Sequence, residues 1–121
     1  MERPKILVVD DEVNQALLYE QELGDEGYDV VLAHSGEEAI EQVKNNKYNL
    51  VVLDIGMPEL DGLEVLERML GIDKNLSVIL NTAYPSYKDN FMSWAADAYV
   101  VKSSDLTELK GKIKESLAKK A

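Results

Sequence analysis

Short, continuous apolar segments that end on an acidic residue are the feature of this sequence that most constrains its fold. Residues Lys5 to Asp10 read KILVVD, and residues Tyr48 to Asp54 read YNLVVLD. Short apolar runs rich in β-branched residues are typical of strands that are buried on both faces, as in parallel sheets. Three further segments predict strands of the same kind: Tyr28 to His34, Leu76 to Asn81 and Ala98 to Val101.

Segments with helical spacing of apolar residues separate these strands. The helices are expected over Glu12 to Asp25, after a capping box at Ser35 to Glu38, over Leu63 to Leu70, more weakly over Ser86 to Ala95, and after a second capping box at Asp105 to Glu108. Strands that alternate with helices are connected by right-handed crossovers. The sequence therefore predicts an α/β fold, a doubly wound sheet of five parallel strands with five helices, in one domain over residues 1–121.

Composition and charge exclude several classes of function. The formal net charge of −10 opposes binding to phosphate backbones, so we expect no direct contact with nucleic acid. No apolar run is long enough to span a bilayer, and the N-terminus lacks the pattern of a secretory signal. The chain has no cysteine, which agrees with a reducing compartment. We expect a cytoplasmic protein without a membrane partner.

Polar residues follow several of the predicted strands. Asp10 and Asp11 follow the first strand, Asp54 closes the third, Thr82 follows the fourth and Lys102 follows the fifth. Ligands of open parallel sheets bind beyond the carboxyl ends of the strands. Two carboxylates about 4 Å apart repel by roughly 4 kcal/mol at an effective dielectric constant near 20, so three together require a counter-ion. Oxygen ligands without cysteine or histidine favour Mg²⁺ or Mn²⁺.

Four ordered motifs in this chain are similar to those of response-regulator receiver domains, including the single-domain chemotaxis regulators. The motifs are Val9-Asp10-Asp11-Glu12, Leu53 to Gly62, Thr82-Ala83 and Tyr99-Val100-Val101-Lys102, and the resemblance covers essentially the whole chain. It implies a flavodoxin-like fold with strand order 2-1-3-4-5. It also implies a part in two-component phosphorelay signalling, as a switch that phosphorylates and dephosphorylates itself and is not a turnover enzyme.

The resemblance assigns a role to each site residue. Asp54 would accept a phosphoryl group from a histidine kinase or a phosphotransfer protein. Asp10, Asp11, Asp54 and the Gly56 carbonyl would hold Mg²⁺ or Mn²⁺. Thr82, Lys102 and Tyr99 would convert phosphorylation into a conformational change that controls a partner protein or a linked output domain.

The output surface and the loop after the fifth strand carry further expectations. The fourth helix and the fifth strand would bind a downstream protein or a second copy of the chain through Tyr87, Phe91 and Tyr99. Receiver domains usually have a proline after the lysine, whereas Ser103 follows Lys102 here. We therefore expect the loop after Lys102 to be more mobile than in other receiver domains. The lone His34 is expected at the surface, away from the acids.

Three other functions are consistent with parts of the sequence. A small Mg²⁺-dependent aspartyl-phosphate phosphatase would space its two acids by one residue and carry an insert over its substrate. A flavin-binding protein would need a phosphate cradle after the first strand, where this chain has carboxylates. A receiver-fold module that works without phosphorylation would not need the complete set of acids.

Overall fold

The computed structural model describes residues 3–54, 62–83 and 95–119. Within these ranges the chain forms five strands and four helices. In chain order they are β1 (Lys5–Val9), α1 (Val13–Asp25), β2 (Asp29–Ala33), α2 (Gly36–Asn45), β3 (Leu50–Leu53), α3 (Gly62–Ile72), β4 (Ser77–Thr82), β5 (Ala98–Val101) and α4 (Thr107–Lys119).

All five strands form one parallel sheet in the order β2-β1-β3-β4-β5. The fold class, the parallel sheet and the strand order are therefore confirmed. The order reverses between β1 and β3, which lie side by side in the centre of the sheet. This arrangement brings the carboxyl ends of β1 and β3 together, at the place where such sheets bind ligands.

The sheet separates two apolar cores, because alternate residues of each strand point to opposite faces. One core contains Leu7 and Val9 of β1 and packs under α2 and α3. The other contains Ile6 and Val8 of β1 and packs under α1 and α4. β1, β3 and β4 are buried along almost their whole length, which explains why they read as continuous apolar runs.

Local signals in the sequence fix several helix ends. The Ser35 hydroxyl accepts a hydrogen bond from Glu38 N at 3.1 Å and caps α2, as predicted. At α4, the Asp105 carboxylate accepts from the backbone N–H and the hydroxyl of Thr107, at 2.9 and 2.6 Å. Asp105 therefore caps the start of α4 through Thr107, two residues later in the chain.

The helix expected over Ser86 to Ala95 falls almost entirely on residues 84–94, outside the described residues, so the described helices number four instead of the five predicted. None of the described helices is long and apolar enough to cross a membrane.

Candidate functional site

Three site residues come directly after strands and continue the ladder of the sheet. Asp10 N donates to Ala33 O at 3.0 Å, and Asp54 N donates to Val9 O at 3.0 Å. Lys102 N donates to Thr82 O at 2.7 Å in the same way. Because each backbone is held by the neighbouring strand, the side chains of Asp10, Asp54 and Lys102 start from fixed positions along one edge of the sheet.

The three acidic residues predicted at this edge lie together. One carboxylate oxygen from each of Asp10, Asp11 and Asp54 falls within 4.8 Å of the other two. Asp10 and Asp54 are buried, with 1% and 6% of their surfaces exposed, whereas Asp11 is exposed. The Asp10 carboxylate also accepts a hydrogen bond from Glu12 N at 2.9 Å, which fixes its orientation.

Lys102 bridges the two buried carboxylates. Its Nζ atom lies 3.0 Å from Asp10 Oδ2 and 2.9 Å from Asp54 Oδ2, and its side chain is 13% exposed. A third acceptor, Gln15 Oε1 of α1, lies 2.7 Å from the same nitrogen. The three hydrogens of the ammonium group therefore have three acceptors.

The electrostatics of the cluster follow from burial and from these contacts. Burial raises the pKa of Asp10, and the opposing effects of the Glu12 N–H and Lys102 are smaller. Burial acts to lower the pKa of Lys102, but its bonds to Asp54 and Asp10 outweigh that effect, and the net pKa is raised. Lys102 is therefore a fixed positive charge near neutral pH. With three carboxylates and one ammonium group, the cluster retains two negative charges in excess.

The other two predicted switch residues lie in neighbouring strands, Thr82 in β4 and Tyr99 in β5. Thr82 is fully buried at the end of β4 and pairs with Val101 of β5. Tyr99 pairs with Leu80 and packs, half-buried, against the core under α2 and α3. The other three predicted residues, Gly56, Tyr87 and Phe91, lie outside the described residues.

Two polar contacts beneath the site were not predicted from the sequence. Gln15 reaches Lys102, and the Tyr19 hydroxyl accepts a hydrogen bond from Asn81 Nδ2 at 3.0 Å in the buried interior. Gln15 contacts Lys102 and Tyr19 contacts Asn81, and each partner lies more than sixty residues further along the chain. No local pattern in the sequence indicates either contact.

The placement predicted for His34 was wrong. We expected it at the surface, away from the acids, but its side chain is half-buried and its Nδ1 atom lies 3.2 Å from the backbone oxygen of Asp10. The reason is the sheet order: β2 pairs with β1, so the residue after β2 lies next to the residue after β1. His34 therefore lies next to the acidic cluster, where it contacts the main-chain oxygen of Asp10.

The donor set suits a hard divalent cation. Carboxylate oxygens on three residues lie close enough to share one ion, and two of these residues are buried. Mg²⁺ and Mn²⁺ prefer such oxygen ligands. The excess of two negative charges matches the charge of one divalent cation.

Comparison with known proteins gives the same family throughout. The sequence model of the response regulator receiver domain matches residues 6–114. The uncharacterized transcriptional regulatory protein YkoG of Bacillus subtilis is 39% identical over 119 residues, which are 97% of this chain and 52% of that protein. Sporulation initiation phosphotransferase F of the same organism is 33% identical over 123 residues, and this alignment covers 100% of this chain and 99% of that protein.

A solved structure extends the comparison. Response regulator TrrA of Thermotoga maritima, in complex with Mg²⁺-BeF, is 47% identical and superposes with a TM-score of 0.90, covering 93% of this chain and 98% of its own. TrrA has also been solved with the histidine kinase ThkA. The chain spans about half the length of several curated relatives that it matches. With a family match over most of its length, the chain belongs to the response regulator receiver domain family.

Proposed function

We propose that this chain is a phosphorylation-controlled switch in which Asp54 is the residue that is modified. The observation that carries the proposal is the buried Asp54 carboxylate, paired with Lys102 at 2.9 Å and grouped with Asp10 and Asp11. A buried acid with a fixed cation beside it and a cation site around it is suited to receive an anionic group. The domain would comprise residues 1–121.

The residues that would hold the ion are Asp10, Asp11 and Asp54, with the Gly56 carbonyl as a further ligand expected from the family. When bound, Mg²⁺ or Mn²⁺ would neutralise the negative charge that otherwise repels an incoming phosphoryl group. The complex of TrrA with Mg²⁺-BeF supports this choice of ion.

The chemical step uses the Asp54 carboxylate as the nucleophile. One carboxylate oxygen attacks the phosphorus of a phosphohistidine, the P–N bond breaks, and its electron pair leaves with the imidazole nitrogen. Lys102 stabilises the negative charge on the phosphoryl oxygens. Attack by water on the phosphorus then releases phosphate and restores the carboxylate. We infer a switch that returns to its starting state, and not a turnover enzyme.

The conformational step requires more than one interaction. Driving an equilibrium from 1:99 to 99:1 takes about 5.5 kcal/mol, whereas one charge-assisted hydrogen bond contributes roughly 1.5–3 kcal/mol. We therefore assign the switch jointly to Thr82 and Lys102, with the bound ion. Tyr99, which is half-buried, would change its packing in response.

The partners follow from the same reading. The phosphoryl donor would be a histidine kinase or a phosphotransfer protein, and the complex of TrrA with ThkA supports a kinase. The output would pass to a downstream protein, a linked domain or a second copy of the chain through Tyr87, Phe91 and Tyr99. We place this function in the cytoplasm.

The test is incubation with acetyl phosphate and Mg²⁺, followed by intact mass spectrometry. The wild type should gain the mass of one phosphoryl group, and hydroxylamine should remove it, as expected of an acyl phosphate. Asp54→Asn should gain none. Asp29→Asn, an exposed acid at the opposite edge of the sheet, is the matched control and should behave as wild type. An unmodified wild type would favour a module that works without phosphorylation.

A further inference from the structure

We propose that Gln15 is a positioning residue, which holds the Lys102 ammonium group beside the acidic cluster when a divalent cation competes for the same carboxylates. The inference deepens the proposed function and rests on its cation site. It starts from the short contact between Gln15 Oε1 and Lys102 Nζ, at 2.7 Å.

The position of Gln15 is set by the rest of α1. Gln15 and Tyr19 are four residues apart and therefore lie on the same face of the helix. Tyr19 is 2% exposed, and its hydroxyl is bonded to Asn81 Nδ2 at 3.0 Å. Asn81 lies one residue before Thr82 in β4. This buried bond fixes the rotation of α1, so that Gln15 points toward the carboxyl ends of the strands.

The chemistry of the amide matters because of the charges around it. Lys102 has two charged acceptors, Asp10 and Asp54, and these two residues also belong to the cation site. A divalent cation and the ammonium group repel each other and compete for the same oxygens. Gln15 Oε1 is the acceptor of Lys102 that lies outside the carboxylate cluster, and it is neutral. Gln15 therefore keeps a hydrogen bond to the ammonium group even when a divalent cation binds the carboxylate oxygens.

It follows that Gln15 contributes more to the cation-bound state than to the free state. A charge-assisted hydrogen bond contributes roughly 10- to 100-fold to an equilibrium constant, and we expect roughly 3- to 10-fold of this contribution to be gained only when the cation binds. We expect Gln15→Met, which keeps the length of the side chain but removes the acceptor, to weaken Mg²⁺ binding by that factor. Isothermal titration calorimetry without any phosphoryl donor measures it.

Two further variants separate the acceptor from general effects. Gln15→Glu keeps an acceptor at the same reach and should bind Mg²⁺ at least as tightly as wild type. Gln21→Met makes the same substitution at an exposed position of α1 and should leave the affinity unchanged. Equal affinities of Gln15→Met and wild type would overturn the proposal, and so would equal weakening by the Met and Glu variants.

A second measurement tests the contact without the metal. In metal-free urea unfolding, Gln15→Met should lower the folding equilibrium constant roughly 3- to 10-fold in the wild-type background and less than twofold in a Lys102→Met background. Equal effects in both backgrounds would overturn the proposal. If wild type binds no Mg²⁺, the proposed cation site fails, and the role assigned to Gln15 in cation binding fails with it. Normal binding with no effect of Gln15→Met would refute the inference alone.

Discussion

Asp10 is the most deeply buried acid of the site, and three groups act on its charge. Burial disfavours the carboxylate, the nearby Asp54 carboxylate repels it, and Lys102 and the Glu12 N–H stabilise it. Burial is the largest effect, so the pKa of Asp10 in the folded protein is raised above its ordinary value of 3.8. Ionised Asp10 therefore lowers the stability of the metal-free protein. This cost is expected of a site in which a bound cation neutralises the carboxylate.

Replacement of Asp10 by asparagine should stabilise the metal-free protein at neutral pH. Asparagine removes the buried charge and retains an oxygen for the Glu12 N–H, so the free energy of unfolding should rise by on the order of 1 kcal/mol. The gain should be complete above the raised pKa of Asp10 and should disappear as the pH falls through that pKa and below 3.8, where wild-type Asp10 is protonated in both states.

Urea unfolding in the presence of EDTA, at several pH values, measures this difference. Asp29→Asn changes an exposed acid at the other edge of the sheet and should alter the stability by less than about 0.5 kcal/mol. A loss of stability in Asp10→Asn at pH 7 would mean that its pairing with Lys102 outweighs the cost of burial.

At the scale of elements, the pairing of β4 with β5 begins at Asp97. Its carboxylate accepts from Val78 N at 2.8 Å, and its own N–H donates to Val78 O at 2.8 Å. This double contact sets the register that places Tyr99 opposite Leu80 and brings Lys102 to the end of the sheet. Asp97 therefore influences the position of Lys102, although the two residues lie at opposite ends of β5.

Asp97→Ala should destabilise the protein by about 1–3 kcal/mol, because the buried N–H of Val78 loses its acceptor. Asp97→Asn retains an oxygen and should lose less. Chemical denaturation compares the two variants, and backbone amide exchange of β4 and β5 should rise in Asp97→Ala. If the alanine and asparagine variants are equally stable, the carboxylate does not set the register.

The elements were largely predictable from the sequence, whereas contacts between distant elements were not. β1, β3 and β4 are short apolar runs because they are buried on both faces of the sheet, which makes their signal local and strong. The acid cluster was predictable because β1 and β3 are each followed directly by an acidic residue. The neighbour of Lys102 on α1 was not, since Gln15 lies 87 residues away and its reach depends on how α1 packs. The prediction for His34 was wrong for the same reason, because the pairing of β2 with β1 determines which residues surround it.

For the whole molecule, net charge and the cation site act on stability in different ways. The formal charge of −10 disfavours the compact state through diffuse repulsion, which any salt screens. The acidic cluster instead binds one ion at a defined place. Ligand binding to the folded state stabilises it by about 2.7 kcal/mol when the free ligand reaches one hundred times its Kd. Magnesium should therefore stabilise the protein beyond the effect of ionic strength.

Thermal unfolding in MgCl₂ and in KCl of equal ionic strength separates the two contributions. Wild type should melt at a higher temperature in MgCl₂, by an amount that grows with the logarithm of its concentration. Asp11→Asn is the informative variant, because Asp11 is exposed and its loss leaves the core intact, yet it belongs to the cluster. It should keep the response to KCl and lose most of the additional response to MgCl₂. An equal additional response in Asp11→Asn and wild type would show that magnesium acts through the overall charge of the molecule and not through this site.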